Sequence, residues 1–298
     1  MKSRVMIITK LMGGLGNQMF QYSAGFALAN KYDASLRLDI YYLLDKSKRH
    51  YRFAHRDYAL DIFRISGEIA TENDVRRHVV PRKGNKYLYH LKRKIIPERN
   101  VYDEECLSCQ DDYCAIPSVA YIQGYWQDIK YFKDIESELR REFVFREGLP
   151  VSHSSVLNEI RNNNSVCVVF RRGDYVGHPI LDILKMDYYE KALEIILEKV
   201  EDPVYYVFSD DIPWCQENFR PEGKKVVFVD QKYTGPKAQY YLMLMKECKH
   251  HIIPNSTYPW WGAWLCENRS KVVVAPKKWY KGQAYDRNEI LMDDWIAI

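Results

Sequence analysis

The sequence predicts an α/β protein built on doubly wound parallel sheets. Three observations carry that expectation. Short apolar runs alternate with amphipathic stretches through the second half of the chain. Near the start, an apolar run passes through a glycine-rich turn into a helical pattern and then a second run. Polar side chains follow most of the runs directly, at the strand ends where open α/β sheets bind ligands.

Taken in order, residues 5–8 read as a buried strand, followed by Met12-Gly13-Gly14-Leu15-Gly16-Asn17-Gln18. Met19, Tyr22, Ala24, Phe26, Ala27 and Ala29 then recur at helical spacing. Residues 36–40 form a second strand with Asp39 at its end. This order opens a βαβ unit. Residues 46–113 are charged and give no clear element pattern. A second unit starts after the loop at Gly148-Leu149-Pro150, with strands expected at 166–170, 204–208, 226–229, 251–253 and 272–275. Tyr188, Tyr189, Ala192, Leu193, Ile196, Leu197 and Val200 mark one helix between them, and residues 240–245 another.

The 298 residues suffice for one large domain or two ordinary ones, and a 47% hydrophobic content supplies a core. A formal charge of +4 is too small to argue for nucleic acid but leaves room for a local basic pocket. Lys46-Ser47-Lys48-Arg49 and Lys92-Arg93-Lys94 read as solvated faces, with an anionic membrane surface as the weaker alternative. Seven cysteines without a regular framework point to a reducing compartment. Cys106, Cys109 and Cys114 lie close together, but no second pair stands at metal spacing, so no structural metal is expected. Cys167 and Cys248 read as buried apolar residues. No apolar run reaches the ~18 residues of a membrane span. The expectation is a cytoplasmic protein with no integral membrane segment, or one attached peripherally at the inner membrane.

The strand ends of the second unit carry the chemistry. Arg171-Arg172-Gly173-Asp174 follows the first strand, Ser209-Asp210-Asp211 the next, Asp230 the third, and Pro254-Asn255-Ser256-Thr257 the fourth. An arginine fork suits phosphate oxygens; the bland reading is a surface pair bridged to Asp174. Ser256 or Thr257 reads as the cap of a helix whose N-terminus favours anions. Trp260, Trp261 and Trp264 beyond it read as packing. The glycine turn is a partial dinucleotide fingerprint, with Asp39 where a ribose-binding acid would stand. Its third glycine is replaced by Met19, so close approach of backbone to a ligand is the better reading.

Gly13-Gly14-Leu15-Gly16-Asn17-Gln18-Met19-Phe20-Gln21-Tyr22 resembles the opening motif of the bacterial α-1,2-fucosyltransferases, glycosyltransferase family 11. Gly124-Tyr125-Trp126-Gln127 with Tyr131-Phe132 resembles their mid-chain motif. Arg171-Arg172-Gly173-Asp174-Tyr175-Val176 resembles a donor motif shared with α-1,6- and protein O-fucosyltransferases. Residues 206–211 and 255–265 are similar to the later motifs. The resemblance implies a GT-B fold of two Rossmann-like domains facing across a cleft. Residues 1–150 would form the acceptor-side domain and 151–298 the GDP-fucose-binding domain, with the last segment able to pack back on the first. It implies GDP-fucose as donor substrate, no cofactor and no metal, a galactose-containing oligosaccharide acceptor, α-1,2 linkage, and inversion, in surface-glycan or O-antigen-type synthesis.

Carried over by motif, Arg171 would bind the β-phosphate and assist its departure, with Arg172 and Asp174 shaping that pocket. Asp210 or Asp211 would read guanine. Asn255, Ser256 and Thr257 would hold the diphosphate. Gly14, Gly16 and Asn17 would approach the donor from the first domain. Asp39 is the candidate base, with a turn partner as the alternative reading. Two positions depart from the family pattern: Val169 stands where histidine is usual, and Pro259 where serine is. The competing readings are a fucosyltransferase of another linkage, a non-catalytic nucleotide-sugar binder, and an NAD-binding Rossmann protein.

Overall fold

A computed structural model describes residues 5–46, 56–80, 86–106, 110–282 and 290–298. Residues 1–4, Ser47, Lys48, Arg49 and Cys109, named above, lie outside them. The chain divides into two compact units, Met1–Arg146 and Glu147–Ile298.

The first unit runs β1 (Met6–Lys10), α1 (Leu15–Tyr32), β2 (Ser35–Asp39), α2 (Tyr41–Leu44), β3 (Glu68–Ile69), α3 (Glu72–Arg76), α4 (Lys86–Ile95), β4 (Val101–Asp103), α5 (Gln110–Cys114), β5 (Val119–Gln123) and α6 (Glu136–Glu142). The strands pair in parallel in the order β3-β2-β1-β5-β4. The stretch expected to be irregular therefore holds two strands and several helices. Helix α1 lies close against the sheet at Gly25. A Cβ there would meet the Thr9 hydroxyl oxygen at 1.9 Å and the Leu36 side chain at 3.0 Å. The close helix–strand approach that the fingerprint assigns to its third glycine is thus made further along the helix, while Met19 is simply buried.

The second unit runs α7 (Ser154–Asn162), β6 (Asn164–Phe170), α8 (Met186–Lys199), β7 (Pro203–Ser209), α9 (Ile212–Asn218), β8 (Val226–Phe228), α10 (Gln239–Glu247), β9 (His250–Ile252), α11 (Thr257–Leu265), β10 (Val273–Ala275) and β11 (Ile296–Ala297). Its strand order is β11-β10-β9-β6-β7-β8, again parallel. Alternate residues of each strand face opposite layers. Val166, Val168 and Phe170 pack with Tyr189, Ile196 and Phe219 of α8 and the α9 region. Cys167 and Val169 pack on the other face with Ile160, Leu244 and Met245 of α7 and α10. Burial on both faces is why these strands read as continuous apolar runs.

His251 sits in this core, opposite Cys167 in the register of β9 against β6, and is fully buried. Burial first, then the charges of Lys271 and His250, pushes its imidazole down to about 3. The unfolded imidazole takes up a proton near pH ~6.5, whereas the folded one does not until far lower. The contribution to stability is therefore complete above about pH 6.5 and is lost as the pH falls toward 3. From pH ~6.5 to ~5.5 the loss on this group comes to about 1 kcal/mol. His251→Leu is expected to flatten that slope, read by urea unfolding of both proteins at the two pH values. Equal slopes would contradict it.

Candidate functional site

The order of the second sheet reverses between β6 and β9, so the carboxyl ends of these two strands frame its ligand-binding crevice. Arg171 and Arg172 leave β6 at that point. The Arg171 guanidinium donates to Asp174 and, at 2.5 Å, to Asp210, and lies 5.0 Å from the centre of the Tyr175 ring. Arg172 turns the other way. Its Nε donates to Asp211 at 3.1 Å, and its guanidinium stacks 3.7 Å over the Trp214 ring. Asp210 ties the two together, because its second oxygen accepts the Arg172 backbone N–H at 2.9 Å. Gly173 allows the approach, since a Cβ there would stand 3.0 Å from the Asp210 carboxylate. The side chains of both arginines stay about one quarter exposed. Such pairs add little stability in water. Their effect is to hold two cationic forks in fixed directions at the crevice.

The two aspartates after β7 divide their work. Asp211 is the N-cap of α9: one oxygen accepts the Trp214 backbone N–H at 3.2 Å, and its own N–H donates to the Ser209 hydroxyl. Asp210 caps nothing and faces the arginines. Asp211→Ala is expected to lower unfolding stability by about 1 kcal/mol. Asp210→Asn should leave that cap intact. Thermal unfolding of the pair checks this, and an equal or larger loss in Asp210→Asn would reverse the division.

Past β9, the Asn255 amide donates to the carbonyls of Leu181 (3.1 Å) and Trp279 (2.8 Å), which pins the loop. The Asn255 carbonyl in turn accepts the Tyr175 hydroxyl at 3.2 Å. Ser256 occupies the N-cap position of α11, but its hydroxyl makes no bond to the helix, contrary to the capping expected from sequence. It pairs instead with Tyr175, whose own pKa is raised chiefly by burial. Thr257 opens the helix. Trp260, Trp261 and Trp264 are buried and pack on one another. Asp230 lies two residues past the outer strand β8 and caps a short turn through the Lys232 N–H, apart from the arginine network. Tyr175, quoted within the arginine motif but given no role, and Trp214, likewise given none, link and orient the rest. The signal for Trp214 was its adjacency to Asp210-Asp211.

In the first unit the reversal falls between β1 and β5. The glycine loop follows β1. Its left-handed residue is Gly13, with φ +76°, and a Cβ there would meet the Asn17 side chain at 2.5 Å. Gly14 is extended at the N-cap of α1, and Gly16 is buried in its first turn. Two buried glutamines of α1 fix the loop. Gln18 donates to the Gly13 carbonyl and accepts the Ala59 N–H, both at 2.9 Å. Gln21 accepts the Met12 N–H at 2.9 Å and donates to the Gly124 carbonyl at 3.1 Å. The loop after β5 is held by Glu104, one oxygen of which accepts the N–H groups of Tyr125 (2.8 Å) and Trp126 (2.7 Å). Gln127 then reaches Asn17 at 3.0 Å. Asp39 ends β2 with its carboxyl buried. It accepts the Tyr121 hydroxyl at 2.6 Å and the Tyr41 N–H at 2.9 Å, and burial raises its pKa against those bonds and the nearby Lys10. Among the described residues no cluster of three or more His, Cys, Asp or Glu side chains could hold a metal ion. No described helix is long and apolar enough to cross a membrane.

The model of a family described as "Glycosyl transferase family 11" matches residues 1–298. The chain is 32% identical to the O-antigen biosynthesis glycosyltransferase WbnK of Escherichia coli, over 97% of this chain and 99% of that one. It is 29% identical to an alpha-1,2-colitosyltransferase of Escherichia coli, over 98% of each. It is 27% identical to the galactoside alpha-(1,2)-fucosyltransferase 2 of Rattus norvegicus, over 88% of this chain and 67% of that one. Among solved structures, the fold is similar to a NodZ alpha-1,6-fucosyltransferase soaked with GDP-fucose, with a TM-score of 0.52 at 13% identity over 88% of this chain and 93% of that one.

Proposed function

The chain belongs to glycosyl transferase family 11, and from that membership we propose that it transfers L-fucose from GDP-fucose to a galactoside hydroxyl in α-1,2 linkage, inverting the anomeric carbon. The observation that carries this reading is the pair Arg171 and Arg172 at the reversal point of the second sheet, beside the N-terminus of α11.

Departure of GDP gathers negative charge on the β-phosphate as the sugar takes on oxocarbenium character. A guanidinium already aimed at the crevice stabilises that charge without reorganising at the moment of reaction. Arg171 fills this role. Arg172 and Asp174 shape the pocket, Ser256 and Thr257 meet the diphosphate, and Asn255 holds their loop. Asp210 reads guanine by exchanging its arginine contacts for the N1–H and amine of the base. Gly14, Gly16 and Asn17 serve the donor from the glycine loop. Asp39 is the candidate base. Its raised proton affinity suits that role, although one of its present hydrogen bonds must open for it to act.

The test is transfer from GDP-fucose to a panel of galactosides, with linkage analysis of the product and parallel reactions in EDTA. An α-1,2-fucosylated galactoside formed equally well in EDTA is the expected result. A different linkage, or full loss of turnover in EDTA, would overturn the corresponding part. Turnover only when the donor carries colitose would replace fucose, a reading that similarity to the colitosyltransferase makes worth including.

A further inference from the structure

Helix α4 lies in the crossover from β3 to β4 of the first unit. Tyr87, Leu88, Leu91 and Ile95 recur at the spacing of one helical face. They are 84, 55, 55 and 72% exposed, and Ile96, just beyond the helix, is 47% exposed. Elsewhere among the described residues, exposed large apolar side chains are scattered singly along the chain, which is ordinary for a protein surface. A helix with an apolar stripe normally turns that stripe into the core. This one turns it outward.

The charge of the segment says what the stripe meets. Lys86, Lys92, Arg93 and Lys94 fall within the same helix, and no acidic residue occurs from Lys86 until Glu98. A short basic helix with an exposed apolar face has the composition of helices that lie in the plane of a bilayer surface. The apolar stripe enters the acyl boundary, and the cations meet anionic headgroups. A second copy of the same helix suits the face less well, because it would bring like charges together. The segment is also well placed to carry load. Just beyond the helix, the Arg99 N–H donates to the His78 carbonyl at 2.9 Å, and β4 joins the sheet directly afterwards. We propose that α4 docks the first unit onto the surface of a bilayer containing anionic phospholipid. Lys92, exposed and next along the helix from Leu91, borders that contact.

The test is co-sedimentation of the full chain with vesicles of phosphatidylcholine mixed with phosphatidylglycerol, against vesicles of phosphatidylcholine alone. Binding to the mixed vesicles is expected, weakening with added salt. The double variant Leu91→Glu, Ile95→Glu should bind about tenfold or more weakly. Both positions are exposed, so folding should survive, as circular dichroism checks; the milder Leu91→Ala, Ile95→Ala pair provides a second reading. The control Lys277→Glu, Lys278→Glu changes charge at exposed positions of the other unit and should bind like the parent. Absence of binding, equal binding to neutral vesicles, or loss only in the control would overturn the proposal. So would a solution dimer abolished by the Leu91 and Ile95 changes, which would give the face to self-association. No transfer assay enters the test, so it stands or falls apart from the donor and linkage proposed above.

Discussion

Arg171→Ala is expected to lower kcat/KM by about a hundredfold or more, a loss of about 3 kcal/mol of transition-state stabilisation. Folding should change far less. The arginine touches two carboxylates that are themselves about one quarter exposed, so water can take over much of their solvation when it goes. The effect on turnover is larger because the charge on the leaving diphosphate grows during the reaction, and an interaction that grows with it acts on the rate. Arg171→Lys should restore only part of the activity, since a point charge cannot hold Asp174 and a phosphate in one plane. Steady-state kinetics of both variants, with unfolding curves to confirm their folds, decide the matter. A folded Arg171→Ala protein with near-parental kcat/KM would remove Arg171 from the chemistry.

Trp126→Ala is expected to destabilise the chain by about 3–5 kcal/mol. The indole is completely buried and packs edge-on to Tyr131, with Tyr113 beside it. Its backbone is left-handed, at φ +55°, and its N–H is fixed by Glu104. Alanine would keep the strained backbone and lose the packing that sustains it. Trp126→Gly, which removes yet another carbon, should therefore be no worse than alanine, because glycine adopts this conformation without strain. Chemical unfolding of the two variants tests the ordering; a glycine variant clearly less stable than the alanine one would mean that the backbone there is not under tension.

Much of this was legible in the residues. The strands of the second unit fall within about two residues of where their apolar runs place them, because burial on both faces makes such runs continuous. In the first unit β3 has two residues, both exposed, and β4 three half-buried ones. Strands that short carry no period, so they were lost in the charged middle, as was β11 at the end. The site shows the same split. Arginines that follow a buried strand announce themselves. The division between Asp210 and Asp211 does not, because only the backbone path decides which carboxylate meets the Trp214 N–H. Glu104, Gln18 and Gln21 act on backbone groups of distant loops, a role that leaves no local signature. The stripe on α4 fell in the stretch that gave no clear pattern, and a sequence cannot say whether anything covers it.

The strand orders also bear on how the protein is made. In the first unit β1 leaves the ribosome early, yet the neighbour it pairs with across the reversal point is β5, synthesised near the end of the unit. The second unit repeats the pattern with β6 and β9. Each sheet thus has to close a long loop before its centre is complete, which is entropically slow and exposes a hydrophobic strand meanwhile. The bonds that span the reversal points, from Gln21 to the Gly124 carbonyl and from Tyr175 to the Asn255 carbonyl, form only at that closure. In the second unit the arginines can meet Asp210 and Asp211 once β6 and β7 have paired, whereas Tyr175 reaches the Asn255 carbonyl only after β9 has docked.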